Sequence, residues 1–146
     1  MNRTVERIEV ETFSHATESM EKVIEAVSKM RLPKEAIMIE KTQGHYGNEI
    51  HVLKANIKRP AQIRAFFDSP FFLSIRKDLY DTIPERMDEK GFLYFRTDKQ
   101  DLALDIFRLN DRGDVRAFIK ILSYPFRREK VIENAKKLFG DRPEGY

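Results

Sequence analysis

Residues 3–13 alternate, with Ile8, Val10 and Thr12 on one side of an extended chain and Arg7, Glu9 and Glu11 on the other. That period of two predicts a strand with one face buried. Thr17 is placed to cap a helix, and Met20, Val23, Ile24, Val27 and Met30 then recur at helical spacing until Pro33 stops it. Residues 36–42 return to strand, with Ile37 and Ile39 predicted to face inward. Residues 49–58 begin with Ile50 and Val52 on one face and continue with Leu53, Ala55 and Ile57 on the other. This change of parity predicts a β-bulge near Val52 and Leu53, re-aiming His51 or Lys54.

Residues 61–87 predict helix in two pieces broken at Pro70, lined by Ile63, Phe66, Phe67, Phe71, Phe72, Ile75, Leu79 and Ile83. A turn at 88–91 leads to a strand at 92–97, where Leu93 and Phe95 oppose Phe92, Tyr94 and Arg96. Residues 102–109 read as part helix and part strand, and 110–113 as a turn. In the last strand Arg116, Phe118, Lys120 and Leu122 alternate with Val115, Ala117, Ile119 and Ile121. A final helix follows Pro125, with Ile132, Ala135, Leu138 and Phe139 on one face and Gly140 at its end. No repeat, low-complexity tract or linker intervenes. Residues 1–146 therefore predict a single α+β domain, a two-layer α/β sandwich with a mostly antiparallel or mixed sheet and helices packed on one face.

Charge changes this picture more than bulk composition does. The chain has 27 basic and 24 acidic residues and a net charge of +3. Residues 90–146 hold 13 basic and 9 acidic side chains, a balance of +4, which leaves −1 for the rest. A basic C-terminal portion suits a polyanion such as nucleic acid, or is a solvated face in a charge-rich chain. Charged residues reach 35% with no cysteine or tryptophan, as in thermophile compositions, and disulfides and cysteine chemistry are excluded. Apolar runs are too short to span a membrane, and charges interrupt residues 1–11 where a signal peptide would be apolar. A cytoplasmic location is the expectation.

Three stretches carry candidate chemistry. Gly44, Gly47 and Asn48 supply the turn between two strands, and His45 and Tyr46 give that turn more side chain than a turn needs. It is either a hairpin with a packed aromatic or a functional loop. His15, His45 and His51 show no metal-ligand spacing, so no metal or cofactor is expected. Asp98 is placed to cap a short helix, and no nucleophile–base pair can be assembled; the expectation is a protein that is not an enzyme. Arg96, Arg116 and Lys120 fall on strands, with Tyr94 and Phe118 at the same parity. If that face points away from the helices it offers phosphate contact and base stacking; if it points inward, the aromatics are core.

Residues 5–10 leading to His15, Thr17 and Glu18, then Gly44, His45, Tyr46, Gly47 and Asn48, then Tyr94, Phe95, Arg96, Asp98, Lys99 and Gln100 occur in an order that resembles a family of archaeal RNA-binding proteins, also described as exosome-subunit-like. Glu49, Thr97 and Asp101 stand where that family usually carries proline, phenylalanine and alanine. The resemblance implies RNA as partner and a fold similar to the large-subunit ribosomal protein that binds 5S rRNA. Lys41, His45, Tyr46, Lys54, Arg96, Lys99, Arg116 and Lys120 are then the expected RNA surface. The alternative is a homodimeric module, or one docking on an RNA-processing complex without touching RNA.

Overall fold

In the computed structural model, which describes residues 4–15 and 17–140, five strands form one sheet in the order β2-β3-β1-β5-β4, with every neighbouring pair antiparallel. The strands are β1 (Val5–His15), β2 (Ile37–Gln43), β3 (Glu49–Ile57), β4 (Phe92–Thr97) and β5 (Val115–Ile121). Six helices accompany them: α1 (Met20–Ser28), α2 (Pro60–Phe67), α3 (Pro70–Asp81), α4 (Ile83–Arg86), α5 (Lys99–Ala103) and α6 (Arg128–Phe139). The sheet has no parallel pair, which resolves the antiparallel-or-mixed expectation. The expected start of the first strand at Arg3, and the bridge at Ala16, lie outside the described residues.

One face of the sheet is closed. Ile8, Val10, Leu53, Ala55, Ile57, Leu93, Phe95, Ala117 and Ile119 are buried against helix residues that include Val27, Phe66, Phe71, Phe72, Leu79, Val131 and Phe139. Phe67 and Phe72 meet edge to face at 4.8 Å, and Phe71 reaches Phe95 at 6.3 Å, joining the helix layer to the sheet. Burying each such ring contributes about 1.5–3 kcal/mol. The other face carries Arg7, Glu9, Glu11 and Phe13 of β1, Arg116, Phe118 and Lys120 of β5, and Phe92, Tyr94 and Arg96 of β4, all exposed or half-buried.

Five local expectations need correction. Helix α1 starts at Met20 with Ser19 at its cap position, so Thr17 lies in the preceding turn. The second long helix breaks twice: Ser69 accepts from the Phe72 N–H at 3.1 Å to start α3 at Pro70, and a further break sets off α4. Residues 104–114 contribute no strand. Ile39 is 46% exposed because β2 is an edge strand, with no neighbour beyond it. Finally, β3 runs in unbroken register against both β1 and β2, so there is no bulge at Val52. Ile50 and Val52 instead belong to the open face, opposite His15 and Phe13, and apolar residues there mimicked a parity switch.

Candidate nucleic-acid interface

Strand register orders the open face into cross-sheet rows. Met38, Lys54, Glu11, Arg116 and Arg96 form one; Asn56, Glu9, Phe118 and Tyr94 form the next; Arg7, Lys120 and Phe92 lie beyond. Phe92 and Phe118 meet edge to face at 4.9 Å, and Tyr94 lies 5.9 Å from Phe118. The Lys120 ammonium sits 4.5 Å from the Phe92 ring centre, and the Arg7 guanidinium 5.3 Å from it. Such cation–ring contacts hold basic heads in place beside half-buried rings.

Arg96 and Arg116 are directly opposed on adjacent strands, an arrangement that repels. Arg96 is steadied by its Nε donating to Gly113 O at 2.7 Å. The side chains of Arg116 and Lys54 make neither ion pair nor hydrogen bond with another described residue, and both residues are exposed. Tyr94 is 47% exposed, with its hydroxyl donating to Asp88 Oδ2 at 3.1 Å. Burial and that hydrogen bond push the Tyr94 phenol up. For Asp88, burial acts upward, but the N–H groups of Phe92 and Lys90, the Tyr94 hydroxyl and the Lys120 charge prevail and hold it below 3.8.

A second assembly lies at the end of the sheet. His15, Thr17, Glu18, Asp98, Lys99 and Gln100, distant in sequence, line one pocket beside Asp114. Lys99 is its hub and its side chain is 11% exposed. Its ammonium donates to Phe13 O at 2.6 Å and lies 2.9 Å from Glu18 Oε2 and 3.8 Å from Asp114 Oδ2. Asp98 accepts from the Asp101 N–H at 3.1 Å, the helix cap expected of it. Lys99 is thus engaged as a clamp at the end of the sheet, apart from Arg96, Arg116 and Lys120 on the open face.

The glycine loop takes no part in that pocket. Gly44 N–H donates to Asn48 O at 2.7 Å and Gly47 N–H to Gly44 O at 3.0 Å, closing the β2–β3 hairpin, with Gly47 at φ +79°. Tyr46 stands 92% exposed against His45, ring centres 4.9 Å apart. Lys41 shares the parity of the helix side of the sheet and pairs with Glu49 at 3.2 Å. Of the expected surface, then, Lys54, Arg96, Arg116 and Lys120 share the open face, while Lys41, His45 and Tyr46 occupy the hairpin. Arg7, Glu11 and Phe92 share the open face without having been named in the expected surface, although their parity with Glu9 and Tyr94 carried the signal. Among the described residues no His, Asp and Glu cluster is arranged to hold a metal, and no helix is long and apolar enough to cross a membrane.

The clamp gives the fold an acid limit. Burial alone would push the Glu18 carboxyl up, but hydrogen bonds from Lys99 and the His15 N–H, with nearby positive charge, outweigh it and hold it below 4.5. A carboxylate lowered by folding contributes stability above its unfolded value and loses it as pH falls through the folded one. Urea midpoints are therefore expected to hold steady above about pH 5 and to fall below pH 4.5, Glu18 and Asp88 both contributing. Lys99→Met should cost about 1–3 kcal/mol at neutral pH, the lower end reflecting the partial exposure of Glu18, and should flatten the acid dependence. A variant as acid-sensitive as the parent would show that Glu18 is not held by Lys99.

An antiparallel sheet with helices on one face and basic and aromatic side chains on the other defines an α+β protein. Residues 7–124 match the RNA-binding family, and the chain belongs to it. It is 33% identical to the RNA-binding protein PAB1135 of Pyrococcus abyssi over 140 residues, 89% of this chain and 90% of that one. Among solved structures it is similar to AF2318 from Archaeglobus fulgidus, at 33% identity and TM-score 0.78, covering 92% of this chain and 99% of that one. It is likewise similar to the DUF54 protein Mth689 from Methanothermobacter thermautotrophicus, at 30% identity and TM-score 0.80, covering 94% and 99%.

Proposed function

We propose that this protein binds single-stranded RNA across the open face of its sheet, without catalysis, in RNA processing or ribosome-related work. The observation that carries the reading is the row of Lys54, Arg116 and Arg96, two with no side-chain partner among the described residues and two of them opposed, beside the rings of Tyr94, Phe118 and Phe92. An anion lying between Arg96 and Arg116 relieves their repulsion, and exposed rings accept unstacked bases of any sequence. A-form duplex would present its bases edge-on and gain nothing from the rings. A ribosomal or exosome-like context fits a chain of this family; likeness to the 5S-rRNA-binding ribosomal protein is part of the same proposal.

Phosphate contacts dominate such binding, so log K is expected to fall linearly with log salt at about 0.7 per phosphate contacted. Arg116→Ala should weaken binding to all sequences and reduce that slope by about one contact. Anisotropy titrations of a short labelled RNA at several salt concentrations measure both. Binding indifferent to salt, or an unchanged slope in the variant, removes the open face as the RNA surface. A second reading comes from β2, a free edge strand with Met38 and Ile39 exposed, which suits pairing with a second copy or a processing complex. Light scattering separates it: a strict monomer at high concentration removes the homodimer.

A further inference from the structure

The open face has a carboxylate at its centre. Glu11 lies on β1 directly between Lys54 and Arg116, yet its carboxylate makes no ion pair or hydrogen bond with another described residue. Glu9, one row away, takes the Arg7 Nε at 3.1 Å. The two carboxylates share a cleft of about 260 Å³ with Lys54, Tyr94, Arg116 and Phe118. That volume is below the usual size of a drug-sized ligand site and suits a ligand the size of one base.

A carboxylate repels phosphate, so on a face that tracks an RNA backbone it weakens binding unless the ligand presents donors to it. Base edges do. An ionised carboxylate accepts through two coplanar oxygens and is best matched by two adjacent coplanar N–H groups. Guanine alone among the four bases carries such a pair, the ring N1–H and the exocyclic amine; cytosine and adenine offer an amine, and uracil a single ring N–H. We infer that this cleft selects one unpaired guanine, its ring against Phe118 and Tyr94, its Watson–Crick edge on Glu11, and the flanking phosphates on Lys54 and Arg116. The inference rests on the open face being the RNA surface.

Short uridine oligomers carrying one central guanosine, adenosine, cytidine or inosine test it by anisotropy at fixed salt, with the all-uridine oligomer reporting on the surface itself. The guanosine oligomer is expected to bind about tenfold tighter than the adenosine and cytidine ones, and inosine, which lacks the amine, to lose most of that gain. Glu11→Gln should abolish the preference while leaving all-uridine affinity equal or higher. Equal, salt-dependent binding of every oligomer overturns the guanine assignment and leaves the surface standing. So does a Glu11→Gln variant that strengthens all of them alike. Failure of the all-uridine oligomer and the rest to bind at all overturns the surface and the assignment together.

Discussion

Tyr94→Ala is expected to weaken single-stranded RNA binding by about 5- to 150-fold, the range that follows from about 1–3 kcal/mol per stacked base. The ring is exposed on one side and fixed on the other, by Phe118 at 5.9 Å and by its own hydroxyl on Asp88 at 3.1 Å. Little rotamer freedom is left to lose when a base arrives, so most of the stacking energy reaches the affinity. Tyr94→Phe keeps the stacking face and releases only the Asp88 contact, so it should bind within a fewfold of the parent. Because Tyr94 lies outside the core, neither variant should unfold the protein, which thermal melts verify. Parental affinity in the alanine variant would exclude Tyr94 from the RNA surface.

Gly113→Ala is expected to cost about 3 kcal/mol or more in stability, a larger loss than that of the Lys99 clamp. A Cβ at position 113 would fall 2.1 Å from Thr97 O and 3.0 Å from Asn110 O. These are backbone atoms, so no side-chain rotation relieves the clash. The same turn anchors its surroundings: Gly113 O accepts from Arg96, Gly113 N–H donates to Asn110 O, and Asp114 next to it accepts from the Lys99 N–H at 2.8 Å. Moving the glycine therefore disturbs the arginine row and the clamp together. Chemical denaturation reads the loss; a midpoint within error of the parent would show that the β4–β5 connection yields freely.

Legibility in the sequence followed burial. Strands β1, β4 and β5 alternate cleanly because one face meets helices and the other solvent, so Ile8, Val10, Leu93 and Ile119 announced themselves. The phenylalanines of α2 and α3 did so by helical spacing. Edges were harder. Ile39 on β2 is as apolar as a core residue but has no layer over it, and Ile50 and Val52 lie on the open face, where hydrophobicity misreports direction. The helix caps at Asp98 and Ser69 depend on local bonds, of which Asp98 was readable and Ser69 was not. For the site, parity placed Arg116, Phe118, Lys120 and Tyr94 on one face of their strands, but the sequence could not say which. Parity grouped Arg7 and Glu11 with Glu9, and the strand order set that group beside Arg116, Phe118 and Lys120. The contacts of Lys99 were not legible because its partners Phe13, Glu18 and Asp114 lie far away in sequence, and a basic residue without visible partners looks like surface charge.

The place of β1 in the sheet has a consequence for how the protein is made. It is translated before the other four strands, but its two neighbours are β3 at residues 49–57 and β5 at residues 115–121. One flank is covered early; the other waits until more than a hundred further residues have been translated, at roughly 5–20 residues per second. Until then the backbone groups of the middle strand lie along an open margin, and loop-closure entropy delays their pairing further. The charged side chains at positions 6, 7, 9 and 11 guard that margin through the interval, since charges along an edge must be desolvated before two nascent chains can stack there. The charges carried by β1 thus keep the unfinished chain apart from its copies.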